Sequence, residues 1–186
     1  NQVMNIAGRY LVSGSSAIIT PSAAINITTS FEVSGTPSIL GGAAVNTTSI
    51  GGNLLVTNNS VFTIGSAAAA KTINVTGNVQ IDAGSSINVG NFAAVHVMSL
   101  AGNLIADGNF DMFTAAGRVC NVTFTGAADN SVTGAGATCR FNQITVNKGA
   151  GQTNLIDIQR VITMSPPVAA GSYLAITNGT FKLSSA

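Results

Sequence analysis

Three aspartates in the chain recur at the same distance from a repeated aliphatic residue. Asp82, Asp107 and Asp129 each follow such a residue by seven positions. If the repeats stack, the carboxylates could form one ridge, as in a Ca²⁺ site or the acidic face of a polysaccharide-degrading enzyme. Each aspartate also precedes alanine, glycine or asparagine, which is typical of turns. We therefore favour turn residues. Ca²⁺ is kept as the alternative, and as the only cofactor considered, because stacked carboxylates repel one another unless a cation neutralises them.

The single histidine and the two cysteines suggest little further chemistry. His96 lies between Val95 and Val97, and alternation along a strand therefore predicts that it points to solvent. A lone imidazole cannot form a metal site or a catalytic triad. Cys120 and Cys139 are candidates for a disulfide in an oxidising compartment, and two buried free thiols are the alternative.

The charged residues are too few and too scattered to predict catalysis. They make up 7% of the chain, only 6 of them are acidic, and the formal net charge is +1. Glycosidases and lyases need clustered carboxylates in a groove, so we predict no enzymatic activity. The chain also has no basic surface for nucleic acid, and no apolar run approaches the ~18 residues of a membrane span. We therefore expect neither nucleic acid nor a membrane span.

The elements that carry these residues are expected to be strands. Hydrophobic residues make up 46% of the chain and are largely β-branched or small, while 21 glycines and many asparagines supply turns. Serine, threonine and asparagine replace the lysine and glutamate that exposed helices usually carry. This composition predicts an all-β protein.

An aliphatic residue returns every 21–25 residues along most of the chain, which is the coil length of a β-helix. Further apolar residues fall four and six positions later, and another strand follows the next turn. We predict a single-domain, right-handed parallel β-helix (β-solenoid) of about seven to eight coils, with regular coils over residues 1–117 and variant coils over 118–186. The repeated aliphatic residues, expected to form one ladder, are Ile6, Ile27, Ile50, Val75, Leu100, Val122 and Ile144.

Asparagines directly precede the aliphatic residue in four of these copies. They are Asn5, Asn26, Asn74 and Asn121. Equivalent amide side chains on successive coils can hydrogen bond to one another along the stack. We therefore predict that these four asparagines form a structural amide ladder.

Four short elements follow one another in the second part of the chain. They are a Thr-rich strand with an aromatic residue, a Thr-Gly-x-Gly turn, a Phe-Asn-x-Ile-Thr-Val-Asn strand and a Leu-x-Ile-Thr-x-Gly coil, at residues 122–126, 133–136, 141–147 and 174–179. In this order they resemble a repeat of very large secreted surface proteins of Bacteroidota. The resemblance covers roughly residues 103–183. The family usually has Leu-x-Leu in the last element, whereas this chain has Leu174-Ala175-Ile176. The resemblance implies secretion of the type IX kind, an adhesive or filamentous surface role and no catalytic residues.

We expect this sequence to be a structural, adhesive segment of a longer bacterial protein that is secreted to the cell surface. The expected partners are further coils of the same protein or identical subunits, and glycans or other surface proteins. One alternative is a glycan-binding or polysaccharide-degrading β-helix, which requires aromatic stacking residues; Tyr10 and Tyr173 are the candidates considered. Another alternative is a self-assembling fibre subunit joined through its open end coils.

Overall fold

The computed structural model describes residues 3–14, 17–19, 23–35, 37–165 and 172–184, and every regular element among them is a β-strand. The strands of coils 1 to 4 are β1 (Met4–Ile6), β2 (Tyr10–Ser13), β3 (Ala17–Ile19), β4 (Ile25–Ile27), β5 (Phe31–Ser34), β6 (Pro37–Leu40), β7 (Asn46–Ile50), β8 (Leu54–Thr57), β9 (Val61–Ile64), β10 (Lys71–Val75), β11 (Val79–Ile81) and β12 (Ser86–Val89). The strands of coils 5 to 8 are β13 (Ala94–Leu100), β14 (Leu104–Ala106), β15 (Asn109–Asp111), β16 (Phe113–Ala115), β17 (Arg118–Phe124), β18 (Asn130–Thr133), β19 (Cys139–Phe141), β20 (Gln143–Asn147), β21 (Leu155–Ile158), β22 (Thr163–Met164), β23 (Leu174–Asn178) and β24 (Thr180–Leu183).

Equivalent strands of successive coils pair in parallel and build three long sheets. Sheet A has the order β1-β4-β7-β10-β13-β17-β20-β23, and sheet B has the order β2-β5-β8-β11-β14-β18-β21-β24. Sheet C has the order β3-β6-β9-β12-β15-β19-β22. The described strands therefore form seven three-stranded coils and two strands of an eighth. This confirms the predicted all-β, single-domain parallel solenoid of about seven turns.

The inward-facing side chains of the three sheets form one continuous apolar core. Sheet B shows the pattern: Phe31 pairs with Leu54, Leu54 with Val79, and Val79 with Leu104. The last three of these are fully buried. Burial of each such side chain contributes ~1.5–3 kcal/mol, and no single coil could achieve it without its neighbours.

The predicted aliphatic ladder is correct for five coils and wrong for two. Ile6, Ile27, Ile50, Val75 and Leu100 pair in succession along sheet A. Leu100 then pairs with Phe124, which pairs with Val146. Val122 and Ile144 lie two residues earlier, in the column of Met98. A shift of two residues keeps the same face inward, so alternation alone could not detect the error.

The predicted asparagine ladder is also shorter than expected. Asn26 Nδ2 donates to Asn5 Oδ1 at 2.8 Å, but the next position in the column is Ser49. Asn74 pairs with Ser49, whereas Asn121 pairs with Val97 and so belongs to another column. The error has the same origin as that of Val122, because both residues were placed in the wrong register.

A different asparagine ladder occupies the corner between sheets A and B. Asn53 Oδ1 accepts the backbone N–H of Asn78, and Asn78 Oδ1 accepts that of Asn103, both at 2.8 Å. Asn103 Oδ1 continues the series with the N–H of Ser131 at 2.9 Å. These amides satisfy backbone donors at a corner where the sheet ladders are interrupted. The sequence signal is a Gly-Asn step directly before the sheet B strands β8, β11 and β14.

Coil 5 differs from the others because a short hairpin projects after sheet C. Strand β16 turns at Gly117 and pairs antiparallel with the start of β17, with Phe113 opposite Val119. Gly117 has φ +73°, a conformation that glycine adopts without steric cost.

None of the described segments forms a helix that could span a membrane.

Candidate functional site

A groove of about 520 Å³ runs over the outer face of sheet C. Its floor is one outward-facing column, in which Ile39 pairs with Thr63, Thr63 with Asn88, and Asn88 with Asp111. These side chains are half-buried. The floor spans four coils, which at ~4.8 Å per coil is a length of ~14 Å.

The walls of the groove are the turns that connect sheet C to sheet A. A Cβ atom at Gly90 would lie 2.1 Å from the carbonyl oxygen of Gly65, so these turns stack closely only because Gly90 has no side chain. Phe92 stands on the rim, with half of its surface exposed. On the projecting hairpin, Thr114 Oγ1 donates to the carbonyl of Val89 at 2.9 Å and fixes the far wall.

Several polar groups in the groove are not engaged by the protein. Within the part of the chain that the structure describes, the side chains of Thr63, Asn88 and Asn91 make no hydrogen bond. The asparagines of the ladder between sheets A and B, such as Asn78, bond instead to the next coil. The groove amides and hydroxyl are therefore available to a ligand.

The carboxylate in the groove is neutralised by an arginine. Arg140 binds Asp111 through two contacts, Nε to Oδ1 at 2.7 Å and Nη2 to Oδ2 at 2.6 Å. The guanidinium also lies over the Phe113 ring, 5.4 Å from its centroid. The hydrogen bond to Asp111 raises the pKa of Arg140 above its usual value, while burial opposes this shift. The groove therefore carries no uncompensated charge from this pair.

A second, smaller depression of about 190 Å³ continues the groove across sheet C. It shares Asn88 and Asp111 with the main groove and adds Asn109 and Thr138. Asn109 Oδ1 accepts the N–H of Thr138 at 3.1 Å, which fixes this end. The two depressions together form one polar surface on the outside of coils 2 to 6.

His96 is buried behind the groove wall, with 1% of its surface exposed, so the prediction of a surface histidine is wrong. The inward face of β13 is set by Met98 and Leu100, which lie two and four residues later and are buried. Val95 and Val97 consequently point outward and are exposed. The prediction from Val95 and Val97 gave the opposite orientation, because it did not consider Met98 and Leu100 in the later half of the strand.

His96 and Lys71 link the buried interior to the turns of the groove. The backbone N–H of Lys71 donates to His96 Nδ1 at 3.0 Å. Lys71 Nζ donates to the carbonyls of Gly42 at 2.9 Å and Ala44 at 2.6 Å, and the N–H of Gly42 donates to Ser66 Oγ at 3.1 Å. Sequence analysis did not identify this buried lysine. The only indication in the sequence is that Lys71 begins strand β10 and alternates in phase with the buried residues Ile73 and Val75.

Burial governs the ionisation of both side chains. It lowers the pKa of His96 from 6.5 to about 4, and the neighbouring Lys71 ammonium adds to this shift. Burial also lowers the pKa of Lys71 below its usual value. The imidazole is therefore neutral at pH 7 and accepts the Lys71 N–H at Nδ1.

Lys148 is a second fully buried lysine that the sequence did not reveal. Its Nζ donates to the carbonyl of Thr125 at 2.8 Å and to Asn130 Oδ1. Burial lowers the pKa of Lys148, and the Asp129 carboxylate partly opposes this shift. Like Lys71, this lysine holds a turn between coils through oxygen acceptors.

The three candidate calcium ligands do not share a ridge. Asp82 and Asp107 both follow sheet B, because Ile81 pairs with Ala106. Asp129 instead directly precedes the sheet B strand β18, at the opposite corner, and its Oδ1 accepts the N–H of Leu155 at 2.9 Å. Among the described residues, no three His, Cys, Asp or Glu side chains are grouped so that they could hold a metal ion. The alternative of a three-carboxylate calcium site is therefore wrong, and the favoured interpretation as turn residues agrees with their positions between strands.

Cys120 and Cys139 are free thiols, and both are buried. Cys120 lies in sheet A and Cys139 in sheet C. Burial raises the pKa of the Cys120 thiol far above its usual range. It raises that of Cys139 to about 11, with Arg160 opposing the shift. The alternative of two buried thiols therefore holds, and the predicted disulfide is absent.

The aromatic residues considered as stacking platforms lie away from the groove. Tyr10 stacks on Phe31 at 5.4 Å between ring centroids, so its ring faces the protein. Tyr173 is exposed next to β23, at the side of sheet A. Phe92, a phenylalanine within a polar turn, is the exposed ring that the sequence analysis missed.

No protein-family model, curated protein or solved structure matches this chain.

Proposed function

We propose that this chain is a structural and adhesive segment of an extracellular surface or filament protein and that it is not an enzyme. The observation that carries the proposal is a continuous stack of coils whose outer faces present neutral hydroxyl and amide groups. Sheet A is an example, because Asn26, Ser49, Asn74, Ser99 and Thr123 pair in succession on its outward side. Such columns suit weak contacts repeated along a rod.

Mechanical strength follows from how the coils are joined. In each sheet the backbone N–H and C=O groups of one coil pair with those of the next coil. The core is continuous from coil to coil, so pulling on the rod must break many hydrogen bonds and expose apolar surface together. A stalk or filament needs this combination.

The arrangement of acidic groups supports a non-catalytic role. Asp111 in the groove is already bound by Arg140 through two hydrogen bonds. Asp82 and Asp107 lie on neighbouring coils, but Gln80 Nε2 donates to Asp82 Oδ1 at 3.0 Å and the N–H of Ala135 donates to Asp107 Oδ1 at 3.1 Å. Glycoside hydrolysis requires two carboxyl groups that flank one bond, and these two carboxylates are instead engaged in hydrogen bonds within the protein.

The resemblance of the second part to Bacteroidota surface repeats supports an extracellular location and secretion of the type IX kind. A low-charge surface rich in hydroxyl and amide groups is consistent with that setting. The same resemblance supports glycans and other surface proteins as partners.

A fibre subunit is a second candidate, favoured by the apolar surface of the last described coil. Ile176 and Leu183 continue inward-facing columns, since they pair with Val146 and Ile158, yet half or more of each is exposed. A further coil or an identical subunit stacked there would bury them.

The test displays the folded chain at high density on beads and measures retention on cellulose, chitin and mucin surfaces. We expect the beads to be held at least ~100-fold more strongly than the soluble single chain, because many weak contacts act together. The same polysaccharides incubated with the chain should release no new reducing ends. Retention equal to that of blocked beads would refute the adhesive role, and product release would refute the non-catalytic one.

A further inference from the structure

We propose that the outer groove of sheet C binds a neutral oligosaccharide, with the Phe92 ring as a stacking platform and Asn88 as the main hydrogen-bonding residue. The inference rests on the proposed adhesive function and names the ligand class of one site. It uses the groove over coils 2 to 5 and its extension past Asn109 and Thr138.

The chemistry of the groove matches a sugar. A pyranose ring presents an apolar C–H face and a rim of hydroxyl groups. Phe92, half of whose surface is exposed, offers aromatic surface to the first, and the unengaged groups of Thr63, Asn88 and Asn91 offer donors and acceptors to the second. Asn88 lies at the centre, because both depressions share it and the other shared residue, Asp111, is already bound by Arg140.

The charges of the groove select a neutral ligand. No lysine or arginine lines the main groove among the described residues, and the adjacent Arg140 guanidinium is paired with Asp111, so an acidic sugar or a phosphate would find no free cation there. Its carboxylate, Asp111, is bound by Arg140, and a cationic ligand would have to displace the guanidinium. Neutral hydrogen-bonding groups remain as the basis of recognition.

Other ligand classes fit the groove less well. The floor strands β9, β12 and β15 are paired on both sides within sheet C, so a peptide cannot add to the sheet as a further strand there. A purely apolar ligand would bury the unengaged amides of Asn88 and Asn91 without partners, which is costly. A neutral sugar can stack on the Phe92 ring and hydrogen bond to the amides of Asn88 and Asn91.

The direction of the bound chain follows from the floor. Thr63, Asn88 and Asp111 stand on successive coils, ~4.8 Å apart along the solenoid axis. The main groove therefore accommodates a short chain parallel to the axis. The side depression at Asn109 leaves room for a branch or a neighbouring ring.

The experiment measures binding of neutral hexasaccharides of glucose, mannose and xylose, with hexagalacturonate as the acidic counterpart of equal length. Titrations compare the wild type with Phe92→Ala and Asn88→Ala. Tyr173→Ala and Gln80→Ala are matched controls, since they remove an exposed ring near sheet A and an outward amide from sheet B. Circular dichroism establishes that all four variants are folded.

We expect a neutral hexasaccharide to bind, about tenfold more weakly with Phe92→Ala and about fivefold more weakly with Asn88→Ala. The controls should leave the affinity unchanged, and raising the salt concentration should not weaken binding. Preferential binding of hexagalacturonate would overturn the ligand class. Neutral binding that survives both groove variants would overturn the site while leaving the adhesive function intact.

A wild-type chain that binds no oligosaccharide would also overturn the inference. The bead experiment separates this failure from that of the proposed function. Beads that are retained on mucin but not on the neutral polysaccharides cellulose and chitin would keep the adhesive role and reject this ligand. Beads that are retained nowhere would reject both.

Discussion

At the scale of single residues, the solenoid uses its rare cations to hold turns. Lys71 donates to two carbonyls of the turn before β7, and Lys148 donates to the carbonyl of Thr125. Arg160 donates to the carbonyls of Ala106 and Gly136 on two neighbouring coils. These carbonyls lie in or beside the turns between strands, where the cations act as additional hydrogen-bond donors.

His96 makes the stability of the fold depend on pH. Its pKa is about 4 in the folded chain against 6.5 for a free imidazole, so the unfolded state binds a proton first as the pH falls. The stabilisation is complete above pH 6.5 and is lost between pH 6.5 and 4. Allowing for partial screening, the loss amounts to about 2 kcal/mol. Urea unfolding at pH 7 and pH 5 should reveal the decrease.

The His96→Gln variant is the control for this prediction. Because the chain has 1 histidine, removing it should flatten the dependence between pH 7 and pH 5 while the carboxylates stay ionised. A variant that loses stability with the same slope as the wild type would show that another group is responsible.

Sequence analysis recovered the residues of the core better than those of the site. Ile27, Ile50 and Val75 were placed correctly, because alternation and spacing both report burial. The orientation of His96 and the corner occupied by Asp129 depend on register, which changes with each turn length. Phe92 was missed for a related reason: its exposure depends on the turns stacked on either side, not on the adjacent residues.

At the scale of elements, the turns after sheet C decide where the groove lies. The strand that was expected after the turn following each sheet B strand is present as sheet C, for example as β12 (Ser86–Val89). Strand β16 was not predicted, because Phe113–Ala115 becomes a strand only through its antiparallel partner β17. The sequence of this segment alone does not predict that it pairs with β17.

Gly90 tests the close stacking of these turns. A Cβ atom there would lie 2.1 Å from the Gly65 carbonyl oxygen, and the backbone at Gly65 cannot move without disturbing the next coil. We expect Gly90→Ala to lower the melting temperature by about 5 °C through overpacking. Thermal unfolding followed by circular dichroism measures the change.

Gly8→Ala is the matched control for Gly90→Ala. Gly8 also lies in a turn, but a Cβ atom there has no neighbour within 4 Å. Its replacement should leave the melting temperature unchanged within ~2 °C, since only the unfolded-state entropy differs. Equal effects of the two substitutions would show that general loss of glycine flexibility, not contact between the turns, determines the result.

At the scale of the whole molecule, each coil contacts mainly the coils before and after it. Stability is then a sum of coil and interface contributions, and an end coil has one interface fewer than the others. The exposure of Leu174, Ile176 and Leu183 follows from this, because they occupy inward-facing columns in the last described coil. The unpaired edges of β23 and β24 add backbone groups that another strand could bind.

We therefore expect the chain to associate through this end as its concentration rises. The double variant Ile176→Asn and Leu183→Asn removes the apolar contact while leaving the sheets paired, and it should shift the association to at least tenfold higher concentration. Val161→Asn is the control, because Val161 is 77% exposed and lies outside the described strands. Sedimentation velocity over a range of concentrations measures the populations. Monomers throughout, or equal effects of the control and the double variant, would mean that the end coil is not a stacking surface. Loss of association only in the double variant would show that the same columns that build the core also join one molecule to the next.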